Sequence, residues 1–260
     1  MSTQNQELLV LYDIPTKQGA KTWSPNVWRT RLALNYKGLR YRTEWVEYPD
    51  IEKVGKELGA KPTGLKPDGS GDGYWTCPML LDPNRLDSEG KPTVLSDSYH
   101  IARYLDTVYP EPQLFPTGTF ALHKAWARFV SQYIHNPLVD LMLPVCPNIL
   151  APRSKEYFVT TREAWFMPLI DLCPDRKKAW KMVQEGLDHV AEALDENGVE
   201  EAQNLRVIPG RTSYADFMLL APFLWAVALS PEEESEALKA RNDGRWGKLL
   251  ELHEDLLVIE

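Results

Sequence analysis

The chain has 260 residues, 43% of them apolar and 25% charged, and a formal charge of −8. That length suits one large domain or two ordinary ones, with the composition of a soluble globular protein. Scattered Lys and Arg in an acidic chain argue against nucleic-acid binding, and no apolar run approaches the ~18 residues of a membrane span.

The first element is Leu8 to Ile14, an apolar run that reads as a buried strand. A loop leads to Trp23-Ser24-Pro25-Asn26, where a helix is expected to start. Ser24 suits the N-cap, Pro25 the first helical position and Gly38 the terminator, with Val27, Arg31 and Leu34 on one face. Residues 40–48 read as a second strand and 51–58 as a short helix stopped by Gly59. Residues 61–73 form a loop rich in Pro and Gly. Its glycines lack the Gly-Lys-Ser/Thr ending and the following helix of a phosphate cradle. Pro78 to Asp82 and Thr93 to Leu95 then read as a hairpin, and Ser98 to Tyr109 as a helix.

Pro110-Glu111-Pro112 interrupts the pattern, and beyond it the periodicity is helical: 120–143, 161–172, 176–194, 214–229 and 232–257. Kinks or breaks are expected at Pro137, Pro144, Pro168 and Pro222. Ser213 to Asp216 and Ser230 to Glu233 read as capping boxes, and Arg176-Lys177-Lys178 as a solvated helix start. The order β-α-β-α-β-β-α followed by helices predicts a small α/β domain, residues 1–112, joined to an all-α domain, residues 113–260.

The chemistry centres on Thr76-Cys77-Pro78-Met79 and Ser96-Asp97-Ser98. A strand edge before Pro78 offers unpaired backbone groups to an extended peptide. A cis bond there would turn the N–H and C=O of Cys77 outward. The helix opening at Ser98 offers free N–H groups to a carboxylate. Asp97 and Ser98 are open to two roles: capping that helix, or holding the ammonium and carboxylate of an amino-acid end. Ser24 likewise can cap its helix or donate its hydroxyl to a thiolate lying above the helix start. The second role matters because a free thiol, with pKa ~8.5, is only a few per cent ionised at neutral pH. Helix N-terminus and hydroxyl together would lower that value by about one or two units. Asn26 is placed to assist, and Lys61 to meet a second carboxylate. Cys77 has no base beside it in the sequence and reads as a small buried residue. With Cys146 and Cys173 it forms neither a disulfide framework nor a metal spacing. His100, His123, His135, His189 and His253 show no ligand spacing, so no metal is expected. The absence of a GxSxG elbow disfavours a serine hydrolase. The polar N-terminus, Met1 to Glu7, lacks a leader pattern, and a cytoplasmic location is expected.

Taken together, Cys77-Pro78-Met79-Leu80, Asp97-Ser98 and the Ser213 to Asp216 box resemble the cytosolic glutathione transferases from end to end. Ser24-Pro25-Asn26-Val27-Trp28 and Tyr36-Lys37-Gly38 resemble the serine-type, etherase-related branch. The long segments 62–75 and 145–174 look most like its fungal class A. The resemblance implies a thioredoxin-like N-terminal domain, an all-α C-terminal domain and a homodimer. It implies glutathione as co-substrate, its cysteine paired with Cys77 ahead of Pro78 and its γ-glutamyl end at Asp97 and Ser98. Lys61 would lie in the same binding set, and Ser24, helped by Asn26, would stabilise the thiolate. Small aromatic acceptors are expected between the domains, against Trp23, Tyr133, Asn136, Pro137, Trp165, Phe166 and Met167. The alternative is a protein that holds aromatic or phenolic compounds with little turnover.

Overall fold

A computed structural model describes residues 7–19, 21–198 and 204–260. Most of the polar N-terminus considered above, residues 1–6, lies outside the described residues.

Strand β1 (Leu9–Asp13) is the centre of a four-stranded sheet in the order β2-β1-β5-β6. It pairs parallel with β2 (Tyr41–Trp45) and antiparallel with β5 (Met79–Leu86), Leu11 facing Thr43 on one side and Leu80 on the other. β6 (Pro92–Ser96) closes the other edge against β5. Parallel β1 and β2 need a crossover, and α1 (Pro25–Tyr36) supplies it. Its Val27, Leu32, Ala33 and Leu34 are buried. α2 (Ile51–Leu58) ends at Gly59 with φ 78°, a left-handed stop that glycine adopts without strain. α3 (Ser98–Val108) follows β6 and packs on α1. This is the thioredoxin-like arrangement expected.

One detail differs in this half. The loop of residues 61–73 folds back as a two-residue ribbon, β3 (Gly64–Leu65) against β4 (Gly73–Tyr74). Arg31 shares one buried face of α1 with Val27 and Leu34, as expected, and pairs there with buried Asp13 at 3.0 Å. It also donates to Tyr41 and Thr43.

The second half is helical. α4 (Phe120–Val130) runs through a wider π turn, Ser131–His135, into α5 (Asn136–Met142). Pro137 has no N–H to give, and the π turn just before it absorbs the lost bond. α6 (Pro152–Trp165) is displaced from the expected 161–172: Pro152 opens it, and the chain leaves the helix before Pro168. α7 (Arg176–Asp195) is capped by Asp175, which accepts from the Lys178 N–H at 2.9 Å.

The central helix α8 (Tyr214–Leu229) passes through Pro222 without interruption. At its start the Asp216 carboxylate accepts from the N–H groups of Ser213 (2.7 Å) and Val207 (2.8 Å), as the capping box predicts. Ser230 forms no such box. It ends α8, and Pro231 holds the N-cap of α9 (Glu232–Leu252), which is broken at Arg241–Gly244. α8 packs along α1, so one continuous core joins the two halves. Among the described residues no helix is long and apolar enough to cross a membrane, and no His, Cys, Asp or Glu cluster could hold a metal.

Candidate functional site

Two cavities flank the first turn of α1. Ser24, Asn26, Tyr48, Glu52, Tyr74, Trp75, Thr76, Cys77, Tyr157 and Arg162 are among the residues lining the first, about 220 Å³ in volume. Ser24 holds the N-cap position with φ −67° and ψ 127°, yet its hydroxyl makes no capping bond. The capping role open to it in the sequence is therefore unused, and the hydroxyl is left for a ligand. Pro25 has no N–H, so the unsatisfied donors of this helix start begin at Asn26. Facing them is Cys77. Its bond to Pro78 is cis, and its main chain lies ahead of Met79, the first residue of the β5 ladder. Cys77 itself is buried, and burial pushes its thiol pKa up. It is no nucleophile, as its surroundings in the sequence indicated.

Arg29, Asp97, Ser98, Tyr99, Lys124, Ser131, His135 and Tyr214 are among those lining the second cavity, about 280 Å³. Asp97 caps α3: its Oδ1 accepts from the N–H groups of Tyr99 and His100, both at 3.0 Å. Oδ2 has no such bond among the described residues, so the cap and an incoming ammonium can use different oxygens. Among the described residues three polar atoms here are buried and without a hydrogen-bond partner of normal geometry: Arg29 Nε, His135 Nδ1 and the Tyr214 hydroxyl, the last of which lies beside Ser98. Native structures rarely leave such atoms unsatisfied. Arg29 donates from Nη1 to Asn26 Oδ1 at 3.1 Å, which links the two cavities through one turn of α1. No carboxylate lies within salt-bridge distance of its guanidinium among the described residues, and burial lowers its pKa. Burial first, and Arg29 second, hold His135 down at about 4. A neutral imidazole acceptor, an unpaired guanidinium and an acid with a free oxygen suit a ligand that is both anion and donor. An α-amino acid end is one.

The structure thus brings Ser24, Asn26 and Cys77 to one cavity, with Pro78 beside it in the chain, and Asp97 and Ser98 to the adjoining one. Lys61 is exposed on the loop after α2 and lines neither. The acceptor set is divided. Trp23 is buried behind Ser24, its ring centroid 6.4 Å from that of Tyr48. Trp165 packs edge-on to Tyr74 at 5.2 Å, at the border of the first cavity. Phe166 and Met167 are exposed beyond the end of α6. Tyr133 turns instead towards α7 and meets His189 with the two rings tilted, 4.7 Å between centroids. Asn136 is bonded to Ser131, and neither it nor Pro137 lines the first cavity. Helical spacing alone could not show that the π turn rotates this face away.

The aromatic wall is built by Tyr48, Tyr74 and Tyr157, which the sequence did not single out. Arg29 carried a weak signal, one turn after Asn26 on the same helix face. Tyr214 stood next to the capping box. Arg162 carried none.

These features can be set beside known proteins. A family model of the glutathione S-transferase N-terminal domain matches residues 23–108, and one of the C-terminal domain matches residues 121–256. A glutathione S-transferase-like protein of Aspergillus flavus is 31% identical over 214 residues, 80% of this chain and 75% of its own. The crystal structure of glutathione transferase GSTFuA3 from Phanerochaete chrysosporium superposes with a TM-score of 0.90 at 34% identity, covering 98% of this chain and 100% of that one. A glutathione S-transferase of Ceriporiopsis subvermispora, crystallised with glutathione, gives 0.86 at 39% identity, over 98% of this chain and 99% of that one. The thioredoxin-like half, the helical half and the fungal likeness expected from the motifs all recur in these relatives, and the chain belongs to the glutathione transferase family.

Proposed function

We propose that the protein transfers the glutathione thiolate to apolar, aromatic electrophiles. Glutathione binds extended across the first turn of α1. Its cysteine pairs with the main chain of Cys77, and its γ-glutamyl end enters the cavity of Arg29, Asp97, Ser98, His135 and Tyr214. Ser24 donates to the sulfur. The thiol proton leaves to solvent, sulfur bonds to the electrophilic carbon, and the leaving group departs with its electron pair. Asn26 steadies Arg29 rather than the sulfur. The acceptor lies against Tyr48, Tyr74, Tyr157 and Trp165. A homodimer in the cytoplasm, a role in detoxification and a domain boundary near residue 112 complete the proposal.

The observation that carries it is the uncapped Ser24 hydroxyl beside the Cys77 main chain. Glutathione titrated against tryptophan fluorescence tests it, because Trp75 lines the cavity. Wild type should saturate, and Asp97→Ala should weaken binding by ~10-fold or more, the loss of one charge-assisted hydrogen bond to the ligand. A wild type that binds no glutathione, by fluorescence or calorimetry, would sink the proposal.

The non-catalytic alternative has one observation in its favour: an apolar groove lined by Leu122, Trp126, Phe129, Val207 and Ile208, outside both cavities. Turnover that survives in wild type but collapses in Ser24→Ala, with aromatic affinity unchanged, decides against it. Ether cleavage or peroxide reduction would draw on the same thiolate.

A further inference from the structure

Arg162 lies in the cavity of Ser24 with no role in the transfer described so far. Its residue is 8% exposed. The guanidinium carbon is 4.3 Å from the Phe158 ring centroid, 4.9 Å from Tyr48 and 5.4 Å from Trp165. Nη1 donates to Thr161 Oγ1 at 2.8 Å and Nη2 to the Tyr74 hydroxyl at 3.1 Å. Arginine has five N–H donors, and these two are the ones with a hydrogen-bond partner among the described residues. Among the described residues no carboxylate comes within 4 Å of it. The other charged side chain lining the cavity is Glu52, already held by Lys56 at 2.6 Å and Lys66 at 2.9 Å.

The contrast with Arg31 is instructive. Arg31 is fully buried, but Asp13 neutralises it and Tyr41 and Thr43 accept from its terminal nitrogens, with Nε left without a partner among the described residues. Arg162 has rings in place of an acid. Aromatic faces attract the cation but accept few of its hydrogen bonds. They hold the planar fork in one orientation and leave its charge unneutralised. A fork so held matches a carboxylate bidentately. Buried cations without a partner are otherwise disfavoured.

We propose that Arg162 is the anion receptor of the acceptor site and selects aromatic electrophiles that carry a carboxylate. The inference rests on the transferase function proposed above and refines its acceptor from a wholly apolar aromatic to an aromatic ring that carries one carboxylate. The ring of such an acceptor lies among Tyr48, Tyr74 and Tyr157, its carboxylate on Arg162, and its electrophilic carbon towards the sulfur held by Ser24. Arg162 belongs to the helical half, which supplies the acceptor side, whereas the groups assigned to the glutathione cysteine, Ser24 and Cys77, belong to the α/β half.

A matched pair of acceptors tests this: benzyl isothiocyanate and 4-(isothiocyanatomethyl)benzoate. In both, glutathione sulfur bonds to the central carbon. The C=N π pair moves to nitrogen, which takes a proton, and nothing leaves. Wild type should favour the benzoate by about tenfold or more in kcat/KM, the usual scale of one buried charge-assisted contact. In Arg162→Gln that ratio should fall to near one, and in Arg162→Lys to an intermediate value. The lysine variant keeps a cation in the aromatic cage and serves if the glutamine variant does not fold. A ratio near one in wild type, or an unchanged ratio in both variants, overturns the proposal. So does a loss, equal for both acceptors, that appears with glutathione and disappears with γ-glutamylcysteine, which would give Arg162 to the glycine carboxylate instead. Affinities for 4-methylbenzoate and 4-methylbenzamide, followed by fluorescence, need no turnover. If neither isothiocyanate reacts, the transferase function fails. A benzoate preference lost in Arg162→Gln still supports the receptor, and equal affinities overturn it.

Discussion

Ser24 is where the proposed chemistry is most exposed to test. A hydroxyl donor and the helix start should lower the pKa of bound glutathione by about one to two units, of which the hydroxyl supplies roughly one, or ~1.4 kcal/mol. The thiolate absorbance of the complex, followed against pH, should therefore titrate about one unit higher in Ser24→Ala. An unchanged midpoint would leave the helix alone responsible. His135 carries a second prediction. In the unfolded chain its imidazole takes a proton near pH 6.5, whereas burial and Arg29 delay this to about 4 in the folded protein. Between those values the unfolded state holds more protons, so stability falls as pH drops, by up to ~1.4 kcal/mol per pH unit. Urea unfolding at pH 7 and pH 5 should show a smaller loss in His135→Phe than in wild type. Equal losses would place the acid sensitivity elsewhere. At this scale the sequence was informative where local rules govern. Asp97 and Ser213 announce helix starts by their neighbours. Arg162 and the Arg31–Asp13 pair were hidden, because each owes its meaning to partners distant in the chain.

Elements were legible where their ends are marked. Pro25 and Gly38 bracket α1, and Gly59 stops α2. α6 was displaced because the apolar pattern of residues 161–172 outweighed the start signal at Pro152, although Pro168 cannot continue a helix. The ribbon of β3 and β4 was missed because two residues per strand show no alternation. Most consequential was the π turn at Ser131–His135. It rotates the face carrying Tyr133 towards α7 and brings Ser131 and His135 to the Asp97 cavity. α7 accommodates it through Gly186, where a Cβ would overlap the carbonyl oxygen of Tyr133. Gly186→Ala must push the two helices apart. The usual cost of overpacking is about 1–3 kcal/mol, from which the ~1 kcal/mol that alanine gains over glycine in helix propensity is subtracted. The same shift would move His135, so glutathione affinity should fall together with the denaturation midpoint. A stable variant with unaltered affinity would show that the helices meet less tightly at this point.

The whole molecule depends on how its halves are joined, because the proposed acceptor wall draws on both. Tyr48 and Tyr74 come from the α/β half, and Tyr157, Arg162 and Trp165 from the helical half. One buried cation organises the crossing. Lys37 at the end of α1 donates to Asp106 Oδ1 at 2.9 Å and to the carbonyls of Tyr109 (2.7 Å) and Pro112 (2.8 Å). Asp106 accepts in turn from the N–H groups of Leu114 (2.7 Å) and Phe115 (3.0 Å), just past the crossing. The sequence showed Lys37 only as part of a family-like tripeptide, since a lysine before a terminating glycine is common at exposed helix ends. Here its ammonium is enclosed by the chain it fixes. The C-terminal segment adds a second tie, the Asn35 amide donating to the carbonyls of Leu256 (2.7 Å) and Val258 (2.9 Å). Lys37→Met removes the cation and leaves Asp106 half-satisfied, which should cost about 3–5 kcal/mol, the range for breaking a buried pair. Lys181→Met, at an exposed pair with Glu185, should cost under ~1 kcal/mol. Because the network spans the crossing and α1 packs on α8, both halves should loosen together. Amide exchange in Lys37→Met should accelerate in β1 and in α8 alike. Acceleration confined to the α/β half would mean that the helical domain holds itself, and that the wall of Tyr48 and Arg162 is assembled by docking rather than by a shared core.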